Sequence, residues 1–147
     1  MTGLRVGFTF APSSIIKILT SLLSQSTSGA DTLAQWAALA ALKNSHRITP
    51  YINKQMTQRR KVFFAELERH FGVKLKLPDS SIYAFIPISA FGSQEKSSVK
   101  FCQQVLQKAN VVMVPGLAFG QEGYIRCSFG EKEEVIRQAL SDIKNKL

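Results

Sequence analysis

Two arginines of this sequence stand where an anionic group could be bound. Arg126 lies in the segment Tyr124–Ser128, among apolar and small residues that predict a strand. A charge within such a strand is costly unless it is paired, and a guanidinium fork binds a carboxylate through two parallel hydrogen bonds. The alternative is a strand arginine that points to solvent. Arg5 could bind a phosphate in the same way, but its position alone is equally typical of a surface arginine at a strand end.

Other polar side chains give weaker indications of chemistry. Ser26 and Thr27 lie in a small polar break, residues 24–29, where their hydroxyls could contact a ligand. Serine and threonine are also ordinary residues in a loop that precedes a helix, so no ligand is needed to explain them. His46 and His70 have no cysteine or aspartate at ligand spacing, and we therefore expect no metal site.

The composition predicts a cytoplasmic protein without a membrane span. The chain has 147 residues, 45% of them hydrophobic, which is enough to bury a core. It contains no run of 18 apolar residues, and its first residues lack the layout of a signal peptide. Without an export signal, Cys102 and Cys127 are expected to be reduced, buried thiols rather than a disulfide.

The net charge of +9 leaves the partner open among nucleic acid, a membrane surface and a small phosphate or carboxylate. The basic residues are scattered, and their densest run, at 59–61, is expected on the solvated face of a helix. Aromatic and basic residues do not alternate as they do in single-strand binders. We therefore expect neither a nucleic-acid nor a membrane partner, and an anion-binding domain remains an alternative that rests on charge alone.

The first third of the chain predicts one strand and two helices. Residues 5–10 alternate like a strand, and Ser13 or Ser14 can cap the helix that follows. Ser28 and Asp31 have the spacing of a capping box before a second helix at 31–42. That helix is apolar nearly all round, so we expect it to be buried on more than one side.

The remainder predicts helices against a small sheet. A long helix covers 45–70, with its true start near Thr49 because Pro50 fits only a first turn, and Gly72 ends it. The later segments are strands at 73–77, 82–86, 111–114 and 124–128 and helices at 97–109 and 132–147. The side chains expected to face the core from the last two helices are Phe101, Cys102, Val105, Leu106, Val135, Ile136, Ala139, Leu140 and Ile143. The fold class is therefore α/β, with an α+β domain of helices packed on a small sheet.

Four segments, in order and with ordinary spacing, carry a family resemblance. They are Met-Thr-Gly-Leu-Arg-Val-Gly-Phe at 1–8, the stretch 24–37, Val-Val-Met-Val-Pro-Gly-Leu-Ala-Phe-Gly at 111–120 and Gly-Tyr-Ile-Arg-Cys-Ser-Phe at 123–129, with Arg59, Arg60 and 78–85 at the expected places between them. Together they resemble the class I aminotransferases that use pyridoxal phosphate, close to the aspartate aminotransferase branch.

The resemblance implies a role for each candidate residue. Arg5 matches the arginine that pairs with the cofactor phosphate, and Arg126 matches the arginine that binds the substrate α-carboxylate. Ser26 and Thr27 match a loop that reaches the active site of the neighbouring subunit in a dimer. Trp36, Leu117 and Phe119 are expected to pack rather than to contact a ligand, and the substrates are an amino acid such as aspartate and a 2-oxo acid.

The same resemblance assigns the two parts of the chain. Residues 1–45 are interpreted as a remnant of the large pyridoxal-phosphate-binding domain, and 46–147 as the carboxy-terminal small domain with a mostly antiparallel sheet. We expect a homodimer, or association through the apolar residues 13–42.

Two departures from the family pattern qualify the activity. The Schiff-base lysine, the aspartate that partners the pyridine nitrogen and a stacking aromatic all precede residue 1 in the family, so the chain alone is expected to be inactive. The alternative is a non-enzymatic oligomerisation or partner-binding module that retained the fold. Ser80 and Ser81 replace a glycine-rich turn, where glycine would permit a positive φ.

Overall fold

The computed structural model describes the backbone of all 147 residues and every side chain except that of Thr2. The chain divides into two compact units, Met1–Tyr51 and Ile52–Leu147. Among the described residues, no helix combines the length and the apolar character that crossing a membrane requires. The interpretation of residues 1–45 as a remnant of a larger domain stays a prediction.

The first unit contains a short 3-10 helix (Thr2–Leu4), helix α1 (Ser13–Ser26), helix α2 (Thr32–Lys43) and the first turns of helix α3 (Ser45–Phe71). The predicted strand at 5–10 is wrong, because these residues, all described, form no regular element. A strand exists only through hydrogen bonds to a neighbouring strand, and the described part of this unit contains no other strand to pair with.

Both predicted caps of this unit are wrong in detail. Helix α1 is preceded by Pro12 at the capping position, without a side-chain hydrogen bond from Ser13 or Ser14. Asp31, rather than Ser28, caps α2, because its Oδ1 accepts a hydrogen bond of 2.9 Å from the Ala34 backbone N–H. Asp31 therefore provides the cap itself, whereas the capping-box prediction had placed it one turn inside the helix.

The two apolar helices are largely uncovered in this chain. None of the residues of α1, all of which are described, is buried, and in α2 only Ala34 and Ala38 are. The expected burial of α2 on more than one side is therefore not found here. Large exposed side chains of the two helices are Ile15, Ile18, Leu19, Leu22, Leu23, Leu33, Trp36, Leu39 and Leu42.

Helix α3 begins earlier than predicted. It runs from Ser45, and Pro50 lies in its second turn. The carbonyl of Asn44 accepts hydrogen bonds of 3.0 Å from both Arg47 and Ile48, which starts the helix upstream of the proline. A proline inside a helix removes one hydrogen bond of the ladder and crowds the carbonyl four residues earlier, yet here the helix continues on both sides of Pro50. The predicted end is confirmed, since Gly72 has a φ of 69°.

The second unit is a three-stranded antiparallel sheet covered by helices, which confirms the predicted class. Its strands are β1 (Tyr83–Pro87), β2 (Val114–Pro115) and β3 (Tyr124–Ser128), in the order β1-β3-β2. Helices α4 (Ser98–Ala109) and α5 (Glu133–Lys146) follow the predictions for 97–109 and 132–147. The predicted strand at 73–77 is wrong, and the one at 111–114 shrinks to two residues.

The core of the second unit lies between one sheet face and helices α3, α4 and α5. Ala84 and Ile86 of β1 and Ile125 and Cys127 of β3 are buried on that face. Val73, Leu75 and Val111 pack against the same core from segments without strand pairing. The apolar side chains of these segments are therefore partly buried by packing, although their backbones form no sheet there. Two predicted core residues are exposed instead, Leu106 by 47% and Val135 by 50%.

Both cysteines are free and buried, as predicted. Burial raises the pKa of the Cys102 thiol. Burial, and then the neighbouring Cys102, raises the pKa of Cys127 to about 12. Because the thiolate is the reactive form, both side chains behave as small apolar core groups.

The basic run at 59–61 is not a solvated face, contrary to prediction. Arg59 donates a hydrogen bond through Nη1 to the Gly130 carbonyl, and Arg60 Nη1 donates one of 2.6 Å to the Pro78 carbonyl. The two half-buried arginines thus tie α3 to the chain before β1 and after β3. Only Lys61 is exposed.

Candidate functional site

Arg126 occupies the middle of the central strand, on the sheet face that the helices leave uncovered. It lies opposite Phe85 of β1 and Val114 of β2 in the antiparallel register. Side chains alternate between faces along a strand, so burial of Ile125 and Cys127 in the core directs Arg126 to the other face. The strand thereby fixes the backbone from which the guanidinium extends.

Two aromatic rings lie against the Arg126 guanidinium, and two more pack beside them. Its Cζ lies 4.3 Å from the ring centroid of Tyr83 and 4.7 Å from that of Phe119. Phe85 links the group, stacking on Tyr124 at 5.2 Å and meeting Phe119 edge-on at 6.0 Å between centroids. A guanidinium over an aromatic face is attracted to the negative charge of the ring face. The arrangement forms an aromatic cage, which we define as Tyr83, Phe85, Phe119 and Tyr124.

The charge of Arg126 is not neutralised within the described chain. The residue is half-buried, and its Nε is closed off from solvent without a hydrogen-bond partner among the described groups. It takes part in none of the ion pairs formed by the described side chains. An uncompensated, partly desolvated guanidinium is a strong site for an anion, above all a carboxylate that accepts two parallel hydrogen bonds.

A tightly built turn presents Phe119 to the cage. The 3-10 helix Gly116–Phe119 closes with a hydrogen bond of 3.0 Å from the Gln121 N–H to the Gly116 carbonyl. A Cβ on Gly116 would lie 2.3 Å from the Gln121 carbonyl oxygen and 2.5 Å from that of Tyr124. No larger residue fits there unless the backbone moves. The glycine of the Pro115-Gly116 pair is therefore required by close backbone packing.

The amino terminus of α4 anchors the same turn. The fully buried Ser98 accepts a hydrogen bond of 3.3 Å at its Oγ from the Leu117 N–H. The Ser98 N–H in turn donates to Oε1 of Glu122, and that hydrogen bond lowers the pKa of the glutamate. Two hydrogen bonds between the start of α4 and residues 117–122 thus fix the turn that carries Phe119.

The other predicted site residues lie in the first unit. Arg5 is exposed and has a left-handed backbone with a φ of 51°. Ser26 ends α1, where its Oγ donates a hydrogen bond of 3.0 Å to the Leu22 carbonyl, and Thr27 is the C-cap residue of the helix. Among the described side chains, no hydrogen bond or ion pair joins Arg5 to Ser26 or Thr27. Of the predicted site residues, only Arg126, in the second unit, is held by aromatic side chains.

Sequence reasoning missed two contributors to the site. Tyr83 stood in the strand at 82–86, within the matched segment 78–85, without a role of its own, and Phe119 was expected to pack rather than to contact a ligand. Phe119 is 49% exposed and lies against the guanidinium, and the expectation that it does not contact a ligand stays a prediction. Trp36 and Leu117 are 66% and 56% exposed, so neither is buried by this chain. Alternation along β1 could have placed Tyr83 beside Phe85, but the register to β3 is not readable from the sequence.

Comparison with known proteins identifies the family. The model for aminotransferase class I and II matches residues 1–143. The aspartate aminotransferase of Pyrococcus horikoshii is 36% identical over 151 residues, covering all of this chain and 38% of the relative. The aspartate/prephenate aminotransferase of Nitrosomonas europaea is 34% identical over 155 residues, covering all of this chain and 39% of the relative.

A solved structure agrees with the sequence comparison. The aspartate aminotransferase of Thermus thermophilus with maleate superposes with a TM-score of 0.81 and 32% identity, over all of this chain and 38% of that one. The chain thus spans about 38% of the length of such relatives. These matches favour the aminotransferase prediction over a non-enzymatic module that shares only the fold. With a family model that extends over nearly its whole length, the chain belongs to the class I and II aminotransferases.

Proposed function

We propose that this chain supplies the substrate-carboxylate site of an aminotransferase that acts on an amino acid such as aspartate and a 2-oxo acid. The observation that carries the proposal is the half-buried Arg126 guanidinium, which has no anionic partner among the described side chains. Both substrates of such a reaction carry a carboxylate next to the reacting carbon. One arginine can therefore hold the donor and the acceptor in turn, in the same orientation.

Arg5 is proposed to bind the cofactor, and Ser26 and Thr27 to complete the site of a neighbouring subunit. Arg5 is exposed and takes part in none of the ion pairs of the described side chains, so its guanidinium suits the phosphate of pyridoxal phosphate. A left-handed arginine costs free energy, and such strain often accompanies functional positions. Ser26 and Thr27 would contact the substrate or the phosphate of a neighbouring subunit. When bound, the cofactor supplies the electron sink for amino transfer.

Residues 1–147 alone are proposed to lack transaminase activity. The reaction requires a lysine that binds the cofactor and moves a proton, and no lysine of the chain matches that position of the family motif. Lys17 and Lys43 are exposed on helices and lie outside the motif. Incubation of the 147-residue chain with pyridoxal phosphate, then borohydride, should leave no cofactor on a specific lysine and yield no turnover. Stoichiometric labelling of one lysine together with turnover would contradict this.

The carboxylate site can be tested by titrating the chain with maleate, an unreactive dicarboxylate, and following its amide resonances by NMR. We expect shifts around β3 in the wild type and affinity at least about tenfold weaker in Arg126→Gln, because a charge-assisted hydrogen bond is lost. Arg126→Lys should also bind more weakly, since an ammonium group lacks the planar fork.

Arg47→Gln is the matched control for the titration, because Arg47 is an exposed arginine on α3 and its loss changes the net charge equally. It should bind maleate as the wild type does. Equal weakening in Arg47→Gln and Arg126→Gln would show that general charge, rather than the caged arginine, attracts the anion, and the proposed function would be wrong.

We also propose that two copies associate through residues 13–42. The support is the number of large apolar side chains that α1 and α2 expose.

A further inference from the structure

We infer that Tyr83 and Phe119 are positioning residues that orient the Arg126 guanidinium for a carboxylate. The inference rests on the proposed carboxylate-binding function. Both rings lie against the guanidinium, at 4.3 and 4.7 Å between Cζ and the ring centroids. They act on the substrate through Arg126 and do not take part in the chemistry themselves.

Rings orient an arginine without consuming its hydrogen-bond donors. An arginine is commonly held by an acidic side chain, which occupies its N–H groups and neutralises its charge. In this chain Glu66 holds Arg137 in this way, through an ion pair. Arg126 is held by aromatic faces instead, so its Nη donors and the full positive charge remain for a ligand.

The two rings come from elements that are themselves fixed. Tyr83 lies opposite Ser128 in the register of β1 with β3, two residues along from Phe85. Phe119 lies on the turn that Gly116 and Ser98 hold in place. These supports hold both rings at the guanidinium, which lowers the entropic cost of orienting the arginine during binding.

Core packing does not explain these rings. Tyr83 is 40% exposed and Phe119 is 49% exposed, and neither belongs to the buried core cluster. The rings that the fold needs, such as Phe101 and Phe129, are almost completely buried. The partly exposed rings of Tyr83 and Phe119 therefore contribute little to the stability of the fold. Their main effect is to orient the Arg126 guanidinium.

The experiment compares leucine and aromatic replacements in the full 147-residue chain. Tyr83→Leu and Phe119→Leu remove a ring, whereas Tyr83→Phe and Phe119→Tyr keep one. The first readout is the Arg126 Nε–Hε resonance, assigned by its disappearance in Arg126→Lys, because neighbouring rings shift it upfield. The second readout is the affinity for maleate. Each leucine variant should lose the upfield shift and bind maleate about three- to tenfold more weakly, and the aromatic variants should retain both.

The two readouts distinguish the positioning of Arg126 by the rings from the binding of a carboxylate by Arg126. Folded leucine variants that keep the wild-type Hε shift and maleate affinity would overturn the inference. If a leucine variant does not fold, a wild-type Hε resonance at the position of an ordinary exposed arginine overturns it equally. An upfield signal that is lost in the leucine variants, with no maleate binding in the wild type, would support the ring positioning and overturn the proposed function instead.

Discussion

Ser81 has a backbone conformation that suits a glycine. Its φ of 72° lies in the left-handed region, where the Cβ of an L-residue approaches the following carbonyl oxygen. The sequence had already marked this position, because two serines stand where the family has a glycine-rich turn. The structure shows that the turn keeps its glycine-like geometry, and the serine at 81 bears the strain.

Replacing Ser81 with glycine should therefore stabilise the protein. We expect Ser81→Gly to raise the free energy of unfolding by about 0.5–1 kcal/mol, since relief of the left-handed strain exceeds the added entropy of the unfolded chain. Ser80→Gly is the matched control, because Ser80 is not among the residues with positive φ, and it should be neutral or slightly destabilising. Urea denaturation measures both. A Ser81→Gly variant less stable than the wild type would contradict the strain argument.

Residue types alone marked Arg126 as a candidate anion-binding group but could not identify its neighbours. An arginine among the apolar and small residues of a short strand is unusual, so the five residues 124–128 are enough to single it out. Tyr83 and Phe119 both precede it along the chain and reach it through a strand register and a turn. Both depend on tertiary geometry that no local pattern encodes.

At the scale of elements, Glu66 joins α3 to α5. Glu66 is only 3% exposed, and its carboxylate pairs with Arg137 of α5. Arg69 lies 3.2 Å and His70 Nε2 3.4 Å from the same carboxylate. A buried carboxylate with several partners costs little while paired, but removing its charge takes the nearer of two carboxylates from Arg137 and leaves it Glu133 at 3.9 Å.

Glu66→Gln should destabilise the protein by about 1–3 kcal/mol, because the amide keeps the shape and loses the charge that Arg137 requires. Glu68→Gln, an exposed change on the same helix, should stay within about 0.5 kcal/mol of the wild type. Chemical unfolding of the two variants provides the comparison. Equal stabilities of the two would show that the buried ion pair contributes nothing.

The Glu122 cap predicts a pH dependence for the junction of the Phe119 turn with α4. The Ser98 N–H lowers the pKa of Glu122 in the folded state, so the cap stabilises the fold above the ordinary glutamate pKa and is lost as pH falls through the lowered value. Glu122→Gln should therefore be less stable than the wild type near neutral pH, and the difference should close as the pH falls below the ordinary glutamate pKa of about 4.3. Urea midpoints across this range measure it. A gap that is constant with pH would rule out the carboxylate as the cause.

Helices and paired strands were predictable, whereas apolar alternation without a pairing neighbour was misread as a strand. Helices α4 and α5 have strong apolar stripes and were placed to within a residue or two. Residues 5–10 and 73–77 alternate equally well, yet neither forms a strand, because alternation reports which side chains turn inward and not whether a pairing edge exists.

Considered as a whole, the molecule exposes large apolar side chains, many of them on helices of the first unit. On α1, Ile18 and Leu22 are one turn apart and are 63% and 62% exposed. A pair of positions four residues apart forms a continuous patch on one helix face. In a symmetric dimer each such residue is buried twice, so the gain from covering the patch is doubled.

The chain should therefore self-associate through α1, and the double substitution Ile18→Glu, Leu22→Glu should weaken that association at least about tenfold, because each buried Leu or Ile contributes roughly 1.5–3 kcal/mol. Sedimentation velocity across protein concentration measures the effect. Thr20→Glu adds a carboxylate to the same helix at an exposed polar position and should associate like the wild type. Since the chain carries a net charge of +9, added carboxylates reduce repulsion between copies, so weaker association can be assigned to the lost apolar contact. A wild-type chain that is folded and strictly monomeric at every concentration would refute association through residues 13–42.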